Sequence, residues 1–490
     1  MPQDRTPMSE RPAQQRVASF VEVNCGYTLD QAVRESERCL YCPDEPCIRG
    51  CPVGIDIPGF IERIGAKDFR GAYDVLSDTT LLPAICGRVC PQETQCEGVC
   101  TVGDTLEPVA IGRLERWVGD MAIAEGWSSA PFIEPAGHRV AVVGAGPAGM
   151  ACAADLAKAG CAVTVFEAFQ QPGGVLRYGI PEFRLPSAVV EAEVAKVAQL
   201  GVTFRCNTLV GRVFTIEQLV SEMGFDAVFV GVGAGTPAFS EIPGESLSGV
   251  ISANELLTRA NLMRAREWPR HDTPLGLGRR VAVVGAGNTA MDAMRTSLRL
   301  GAEAVLCVYR RSKAEAPARA EELHHAEQEG IEFHWLTDPV AILDDGQRNV
   351  RALLCRRMEL GEPDASGRRR PVPIPGSEHE IACDTVVFAI GTNANPILGQ
   401  TSTLELDTRG YIKADEDLAT SIAGVFAGGD IVTGAATVIE AMGAGRRAAA
   451  SIKRYLGIAD SDVAYDSEPL EATLFGLASH QRGFARVTAT

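Results

Sequence analysis

Eight cysteines near the N-terminus stand in two tight groups whose spacing suits a metal or iron–sulfur site. Each group contributes four of them: Cys39, Cys42, Cys47 and Cys51, then Cys86, Cys90, Cys96 and Cys100. Iron–sulfur ligands must converge within a few ångströms, which short irregular loops allow, and the CxxCxxxxCxxxCP pattern is similar to ferredoxin spacing. Zinc, which also takes four thiolates, is the alternative. The spacing favours two [4Fe-4S] clusters and leaves Cys25 outside both groups as an ordinary thiol.

A glycine-rich turn after a β-branched run, RVAVVGAGPAG, is typical of a dinucleotide site. The first glycine permits a tight turn, the second lets the backbone approach a pyrophosphate, and the third lets helix pack on strand. The next strand ends in Glu167, which is placed to accept a hydrogen bond from a ribose hydroxyl. A plain strand-to-helix turn is the alternative. The segment predicts an FAD site, with the turn residues Gly144, Gly146, Pro147, Ala148 and Gly149 as contacts.

The same strand, turn and helix pattern recurs in RRVAVVGAGNTAMD, with Gly285, Gly287, Asn288 and Ala290 in the corresponding turn. Here the second strand ends in Arg310 and Arg311 instead of an acid. Arginines pair with a 2′-phosphate, whereas an acid accepts from a free 2′-hydroxyl. The repeat therefore predicts an NADPH site, and a solvated pair of arginines is the alternative.

Two other segments are expected to contact the flavin. The Gly/Pro-rich stretch QQPGGVLRYGIPEFRLP brings Gly173 and Gly174 into reach of an isoalloxazine edge, unless it is an exposed connection. Further on, VFAGGDIVTG carries Gly429 and Asp430 at the end of a strand, ahead of a helix that starts at Thr437. The Asp430 carboxylate suits the ribityl or phosphate region of a flavin, and it can also cap a helix.

Composition narrows the class of protein. The chain has 490 residues, more than one core usually serves, and its formal net charge of −17 argues against binding to nucleic acid or to a membrane surface. No apolar run is long enough to span a membrane, and the N-terminus lacks the apolar core of a signal peptide. We therefore expect a cytoplasmic protein whose clustered cysteines serve redox chemistry.

The alternation of strands and helices indicates an α/β fold. We expect two Rossmann-like domains, with the NADP domain inserted in the FAD domain, preceded by a mainly α-helical iron–sulfur domain. The predicted boundaries are a mobile N-terminus at 1–20, the iron–sulfur domain at 21–135, the FAD domain at 136–270 and 386–456, the NADPH domain at 271–385, and a tail at 457–490.

Taken together, these motifs resemble the small subunit of NADPH-dependent glutamate synthase and its relatives. The relatives include the NADPH-side subunit of electron-bifurcating ferredoxin:NADP oxidoreductase and the N-terminal part of dihydropyrimidine dehydrogenase. The resemblance rests on ERCLYCPDEPCIRGCP, CGRVCPQETQCEGVC, VVGAGPAG, PGGVLRYGIPEFRLP, VVGAGNTAMDA, YRRS and FAGGDIVTGAATVIEAMGAG, within residues 30–455. It implies cross-wired clusters, one held by Cys39, Cys42, Cys47 and Cys100 and the other by Cys51, Cys90, Cys96 and Glu115. Spacing alone would instead choose Cys86 as the eighth ligand.

The resemblance also implies the reaction. Hydride from NADPH would reach FAD, and single electrons would leave through two clusters to a partner, with no acid–base residue required for catalysis. The chain lacks room for a glutaminase domain or an FMN-binding barrel. We therefore expect a hetero-oligomer with a larger catalytic subunit, or delivery to a ferredoxin-like acceptor. The bifurcating and dihydropyrimidine dehydrogenase roles are the alternatives.

Overall fold

A computed structural model describes residues 2–127, 134–364 and 367–458 of the chain. Its α-helices are α1 Ala13–Arg16, α2 Leu29–Ser36, α3 Pro46–Arg49, α4 Ile57–Gly65, α5 Phe69–Thr79, α6 Pro83–Val89, α7 Ile111–Ala124, α8 Pro147–Lys158, α9 Val175–Tyr178, α10 Ser187–Gln199, α11 Ile216–Ser221, α12 Ala253–Ala260, α13 Asn288–Arg299, α14 Ala320–Gln328, α15 Ile397–Thr401, α16 Asp430–Thr433 and α17 Val438–Tyr455. Its strands are β1 Arg139–Val143, β2 Ala162–Phe166, β3 Thr203–Arg205, β4 Ala227–Val230, β5 Thr236–Pro237, β6 Val250–Ser252, β7 Arg280–Val284, β8 Ala304–Tyr309, β9 Glu332–Trp335, β10 Thr337–Asp344, β11 Val350–Pro363, β12 Arg369–Pro373, β13 His379–Ala382, β14 Thr385–Phe388, β15 Thr392–Asn393 and β16 Val425–Ala427.

The first dinucleotide-binding unit is a five-stranded parallel sheet in the order β16-β4-β1-β2-β3. Its central strands β1 and β4 are almost entirely buried, as expected for a parallel sheet covered on both faces. Helices α8 and α17 pack on this sheet through alanines and Ile452. The carboxyl ends of β1, β2 and β16 therefore meet at one edge, where a doubly wound sheet binds its ligand.

The second unit is another five-stranded parallel sheet, in the order β6-β14-β7-β8-β9. Its outer strand β6 precedes the predicted start of the NADPH domain at residue 271, and β14 runs past its predicted end at 385. Both boundaries were therefore wrong, because β14 pairs with β7 and β6 and does not return to the first sheet. The chain crosses between the units where β5 pairs with β15.

A small antiparallel sheet, β10-β11-β12 with β13 beside β11, is attached to the second unit. The basic, proline-containing stretch around residues 368–375, which reads as a loop, contributes the short strand β12. Its prolines are tolerated because β12 is an edge strand of this sheet.

The N-terminal helices form the third unit, the iron–sulfur domain. Helices α4, α5 and α7 bury a common apolar core that includes Phe60, Leu76 and Leu114. Residues 2–20, which the sequence predicts to be mobile, contact this domain through charged side chains with buried partners. Arg5 pairs with Glu97 at 2.8 Å, and Arg16 is only 4% exposed.

In the part of the chain that the structure describes, no helix combines the length and apolar character that a membrane crossing requires. The predicted tail at 457–490 lies outside the described residues from position 459 onward.

Candidate functional site

The first glycine-rich turn joins β1 to α8 in a conformation that other residues would not tolerate. Gly144 has a φ of +102°, and a Cβ on it would lie 2.5 Å from the Gly231 carbonyl oxygen. A Cβ on Gly149 would lie 1.9 Å from the Gly144 carbonyl oxygen. Helix α8 starts at Pro147 with Gly146 as an N-cap that has no side chain, so the first amides of the helix remain available to an anion.

The second glycine pair packs directly against this turn. Gly173 and Gly174 have φ values of +126° and +55°, and the Gly173 amide donates to the Ala145 carbonyl at 2.9 Å. A Cβ on Gly174 would lie 2.7 Å from the Gly146 Cα. The two predicted flavin-contact segments therefore present bare backbone side by side, which allows a ligand to approach closely.

Glu167 lies at the end of β2, where the sequence places a ribose-binding acid. Its carboxylate is buried and accepts from the amides of Ala145, at 2.8 Å, and Phe169, at 2.9 Å. Burial raises its pKa above the ordinary value, although these amides act in the opposite direction. The acid is thus fixed against the turn, with lone pairs left for a hydroxyl.

Asp430 opens α16 at the end of β16, beside Gly429, whose φ is +76°. Its Oδ1 atom is buried and has no hydrogen-bond partner in the described part of the chain. Burial raises its pKa to about 6. An unpaired buried acceptor is costly unless a donor reaches it, and a ribityl hydroxyl is such a donor. This carboxylate therefore fits a bound flavin.

The helices that carry these segments are in very close contact. Thr437 caps α17 in a capping box with Glu440, and the helix then packs along α8. A Cβ on Gly445 would lie 2.1 Å from the Ala148 carbonyl oxygen. The small residues of α17 thus let the two helices approach and bring the start of α17 to the turn at Gly146. Thr437 uses its hydroxyl for the cap, which leaves its role toward a flavin a prediction.

The second glycine-rich turn has the same construction between β7 and α13. Gly285 has a φ of +125°, and a Cβ on it would lie 2.4 Å from the Ala389 carbonyl oxygen. Gly287 is the N-cap of α13 without a side-chain cap, and Ala290 is fully buried in the third glycine position. The Asn288 side-chain oxygen accepts from the Arg319 amide at 2.9 Å. Asn288 thus anchors the neighbouring loop as well as lining the turn.

The two predicted 2′-phosphate ligands differ in their surroundings. Arg310 is exposed at the end of β8. Arg311 is buried, forms an ion pair with Asp364 at 2.7 Å and donates from Nε to the Arg369 carbonyl at 2.9 Å. Arg310 is available to a phosphate as it stands, whereas Arg311 is already paired.

Four cysteines from both sequence groups surround one small cavity of the iron–sulfur domain. Its lining includes Cys39, Cys42, Cys47 and Cys100, together with Ile57 and Ile61. Burial, followed by the neighbouring thiols of Cys100 and Cys39, raises the pKa of Cys47 to about 12. We call these four residues the outer set, because the adjacent Leu40 and Tyr41 are about half exposed.

Glu115 is the acid of a second, more buried set, which also contains Cys51, Cys90 and Cys96 and which we call the inner set. The Glu115 Oε1 atom is buried without a hydrogen-bond partner among the described residues. Burial, and next the charge of Glu193, raises its pKa to about 8. Burial, followed by Glu115 among the nearby acidic groups, raises the pKa of Cys51 to about 11. These features fit an anionic ligand that a cluster iron would neutralise.

Cys86 also lies beside the inner set. A hydrogen bond that the Cys90 thiol donates to Cys86, followed by burial, raises the pKa of Cys90 well above its ordinary value. The Cys86 Sγ atom is 3.6 Å from the Met442 Sδ and 3.9 Å from the Thr80 Oγ1. Cys86 is thus a packed thiol with partners of its own, whereas the Glu115 oxygen has none.

Two protein-family models match the chain. Residues 16–127 match dihydropyrimidine dehydrogenase domain II, 4Fe-4S cluster, and residues 138–445 match the pyridine nucleotide-disulphide oxidoreductase family. The glutamate synthase small chain of Halomonas elongata is 38% identical over 456 residues, which cover 92% of this chain and 96% of that protein. The chain belongs to the family of NADPH-dependent glutamate synthase small chains. It is an NADPH-dependent flavoprotein oxidoreductase with FAD and two [4Fe-4S] clusters.

Other relatives include a second glutamate synthase small chain and a protein with a different name. The glutamate synthase small chain of Escherichia coli (strain K12) is 37% identical, over 92% of this chain and 96% of that protein. The NADPH-Fe(3+) oxidoreductase subunit beta of Geobacter sulfurreducens is 37% identical, over 84% of this chain and 63% of its own length. These relatives are subunits of larger enzymes.

The dinucleotide-binding units are also similar to a solved structure. FprA of Mycobacterium tuberculosis, in complex with NADPH, superposes with a TM-score of 0.55 at 22% identity, over 66% of this chain and 85% of that one. This likeness agrees with the α/β fold that the sequence predicts.

The contacts that join the flavin unit to the NADPH unit and to the iron–sulfur domain were not predicted from the sequence. Arg184, in the flavin-contact loop, pairs with Asp292 of α13 at 2.7 Å and with Glu322 of α14 at 3.1 Å. The side chains of Met442 and Ile439 on α17 pack with Cys86 and Cys90. Neither contact has a local sequence signal, since each joins residues more than a hundred positions apart.

Proposed function

We propose that this protein is the electron-input subunit of a glutamate synthase, and that it delivers electrons from NADPH to a larger catalytic subunit. The observation that carries the proposal is the similarity along nearly the whole of two small chains: the alignments cover 96% of the Halomonas elongata and Escherichia coli proteins, at 38% and 37% identity. The chain spans only 63% of the Geobacter sulfurreducens subunit. The NADPH-Fe(3+) oxidoreductase role is therefore the second candidate.

Each glycine-rich turn binds one dinucleotide, FAD at the first turn and NADPH at the second. The amides at the starts of α8 and α13 bind pyrophosphates, Glu167 binds a ribose hydroxyl, and Asp430 binds the ribityl region through its unpaired Oδ1. Arg310 pairs with the 2′-phosphate, which distinguishes NADPH from NADH. When bound, FAD accepts hydride from NADPH and releases electrons singly to iron–sulfur clusters.

The inner set faces the flavin domain. Cys90 packs with Met150 of α8 and with Ile439 of α17, two helices that begin at the flavin-contact turns. Gly443 of α17 also approaches Pro52, the residue after Cys51: a Cβ on Gly443 would lie 3.3 Å from the Pro52 carbonyl oxygen. The inner set thus holds the cluster closer to the flavin.

The outer set faces the solvent. Leu40 and Tyr41 lie between two of its ligands, Cys39 and Cys42, and are 49% and 47% exposed. An acceptor protein can therefore approach the outer set more closely than the inner set. We propose this surface as the exit for electrons.

A reconstitution experiment tests the proposal. The anaerobically purified chain is mixed with a glutamate synthase large subunit, glutamine, 2-oxoglutarate and NADPH, and glutamate is measured. We expect NADPH-dependent glutamate formation only when both subunits are present, while the chain alone reduces an artificial dye. Dye reduction without glutamate formation, combined with Fe(3+) reduction in a complex with another partner, would favour the second candidate.

A further inference from the structure

Three possible metal ligands come together where the N-terminal segment meets the NADPH domain. One ligand atom each of Glu10, Glu321 and His325 lies within 4.8 Å of the others. Glu321 and His325 are four residues apart on α14 and therefore share a helix face. Glu10 is held by a β-bridge between its backbone and Asn24.

His325 is the feature that points to a ligand. Its side chain is 1% exposed, and neither ring nitrogen makes a well-aligned hydrogen bond with any residue in 2–127, 134–364 or 367–458. Nε2 lies 3.1 Å from the Glu10 Oε2, in an ion pair that aims the ring into the group. That contact is favourable only when the ring is protonated, and a cation bound between the ring nitrogen and the carboxylate would replace the proton.

The surrounding charges hold the two carboxylates in place. Arg16 contacts the Glu10 Oε2 at 2.7 Å, and Arg319 contacts the Glu321 Oε2 at 3.4 Å. The Asn24 amide donates to the Glu321 Oε1 at 3.3 Å. A carboxylate offers about four lone-pair sites, so each of these acids can accept such a contact and still bind a metal.

The group has access to solvent. All three residues line a cavity of about 460 Å³ between the iron–sulfur and NADPH domains. Water in such a polar cavity can complete the coordination that three protein ligands leave open. The cavity also gives an ion a path to the buried imidazole.

We propose that Glu10, Glu321 and His325 bind a divalent transition metal of the zinc type. Imidazole and carboxylate together suit Zn²⁺, whereas Mg²⁺ and Ca²⁺ prefer oxygen ligands alone. The ion would tie the N-terminal segment to α14 and so fix the NADPH domain against the iron–sulfur domain. This site is separate from both cysteine sets and does not depend on the proposed function.

The test measures zinc in the full chain, purified anaerobically with its flavin and clusters. The protein is equilibrated with micromolar Zn²⁺, desalted, and analysed for zinc and iron. We expect one zinc per chain in the wild type and its loss in His325→Gln and Glu321→Gln, with iron and flavin unchanged. The matched control is His324→Gln, which removes the exposed histidine next in sequence and should retain zinc.

Zinc X-ray absorption on the wild type keeps the test decisive even if a variant fails to fold. We expect only nitrogen and oxygen neighbours at about 2.0–2.2 Å, including imidazole, whereas zinc bound to cysteines would have sulfur at about 2.3 Å. Absence of retained zinc in the wild type, a sulfur-containing shell, or full zinc retention by a folded His325→Gln variant would each overturn the proposal.

Discussion

At the scale of single residues, Glu115 and Cys86 are the two candidates for the eighth cluster ligand. Glu115 is buried, its Oε1 atom has no hydrogen-bond partner among the described residues, and burial raises its pKa to about 8, so the protein alone stabilises its carboxylate poorly. Bound iron would stabilise the deprotonated form that a cluster ligand requires. Cys86 is instead packed between Thr80 and Met442, so the unpaired oxygen favours Glu115 as the ligand.

Replacing Glu115 with Gln should therefore lower the iron content from about eight to about four per chain, since each cubane holds four irons. Cys86→Ser, as the matched control, should retain all the iron. Iron analysis and EPR of the reduced protein check both. Loss of half the iron in Cys86→Ser with full retention in Glu115→Gln would assign the eighth ligand to Cys86 instead.

The two arginines after β8 provide a second prediction at this scale. Arg310→Ala should raise the KM for NADPH at least tenfold, equivalent to about 1.4 kcal/mol, and leave the KM for NADH nearly unchanged. The reason is that Arg310 is exposed and free to pair with a 2′-phosphate, while Arg311 is bound to Asp364. Steady-state kinetics with both nucleotides is the measurement.

Arg311→Ala serves as the control for Arg310→Ala. It should lower thermal stability more than it changes the preference for NADPH, because it removes the ion pair between Arg311 and Asp364. Equal losses with NADPH and NADH in Arg310→Ala would contradict the assignment of Arg310 to the phosphate.

At the scale of elements, the contact between α8 and α17 joins the flavin site to the inner set. The α17 sequence VIEAMGAGRRAAASIKRY presents small residues to α8, so the two helices approach closely at Gly445. The same helix reaches Cys86 through Met442. The packing of one helix therefore determines both where the flavin turns lie and where the inner set lies.

Gly445→Ala should disturb this contact, since the new Cβ would lie 2.1 Å from the Ala148 carbonyl oxygen and the helices would have to separate. Overpacking of this kind typically costs about 1–3 kcal/mol. We expect a lower melting temperature and partial loss of FAD, measured by thermal unfolding and flavin absorbance.

The matched control for Gly445→Ala is Gly65→Ala at the end of α4, where the nearest atom to a new Cβ is the Ser36 Oγ at 3.5 Å. Alanine is the better helix former by up to about 1 kcal/mol, so this variant should be as stable as the wild type or more so. An equal loss of stability in both variants would mean that the contact with Ala148 is not the cause.

At the scale of the whole molecule, buried ion pairs connect the two dinucleotide-binding units. Arg184 of the flavin-contact loop is buried against Asp292 and Glu322 in the NADPH domain. Burial raises the pKa of Asp292 to about 6, although Arg184 acts to lower it. Breaking a buried pair leaves an uncompensated charge, which is the main source of its effect on stability.

Arg184→Met should destabilise the protein by about 3–5 kcal/mol, because Asp292 loses its buried partner and Glu322 keeps only Arg295 among the described residues. Adding Asp292→Leu should restore part of the loss, since an apolar pair can replace a buried ion pair. Urea unfolding of both variants is the measurement. A double variant no more stable than Arg184→Met would show that Glu322 alone determines the loss.

The cytoplasmic location and the identity of the partner concern the whole molecule as well, and both stay predictions. The relatives are subunits of larger enzymes. The ligand and cofactor roles of the individual residues likewise stay predictions until variants are measured.

The sequence by itself determined the family, the α/β fold, the reaction class and the cofactors, and the comparisons confirm all four. These properties follow from local patterns: β-branched runs, glycines at positions that require positive φ, and short cysteine spacings. The β-branched runs before the two glycine-rich turns form strands β1 and β7 for the same reason.

Only the tertiary structure decided the properties that depend on distant residues. In the structure, β6 and β14 belong to the second sheet, and the N-terminal segment packs through Arg5 and Arg16. The structure also shows that Arg310 is exposed while Arg311 is paired with Asp364. It also brought Cys100 beside Cys39, and Glu115 beside Cys51. Strand pairing, burial and charge pairing depend on which distant segments fold together, and no local pattern contains that information.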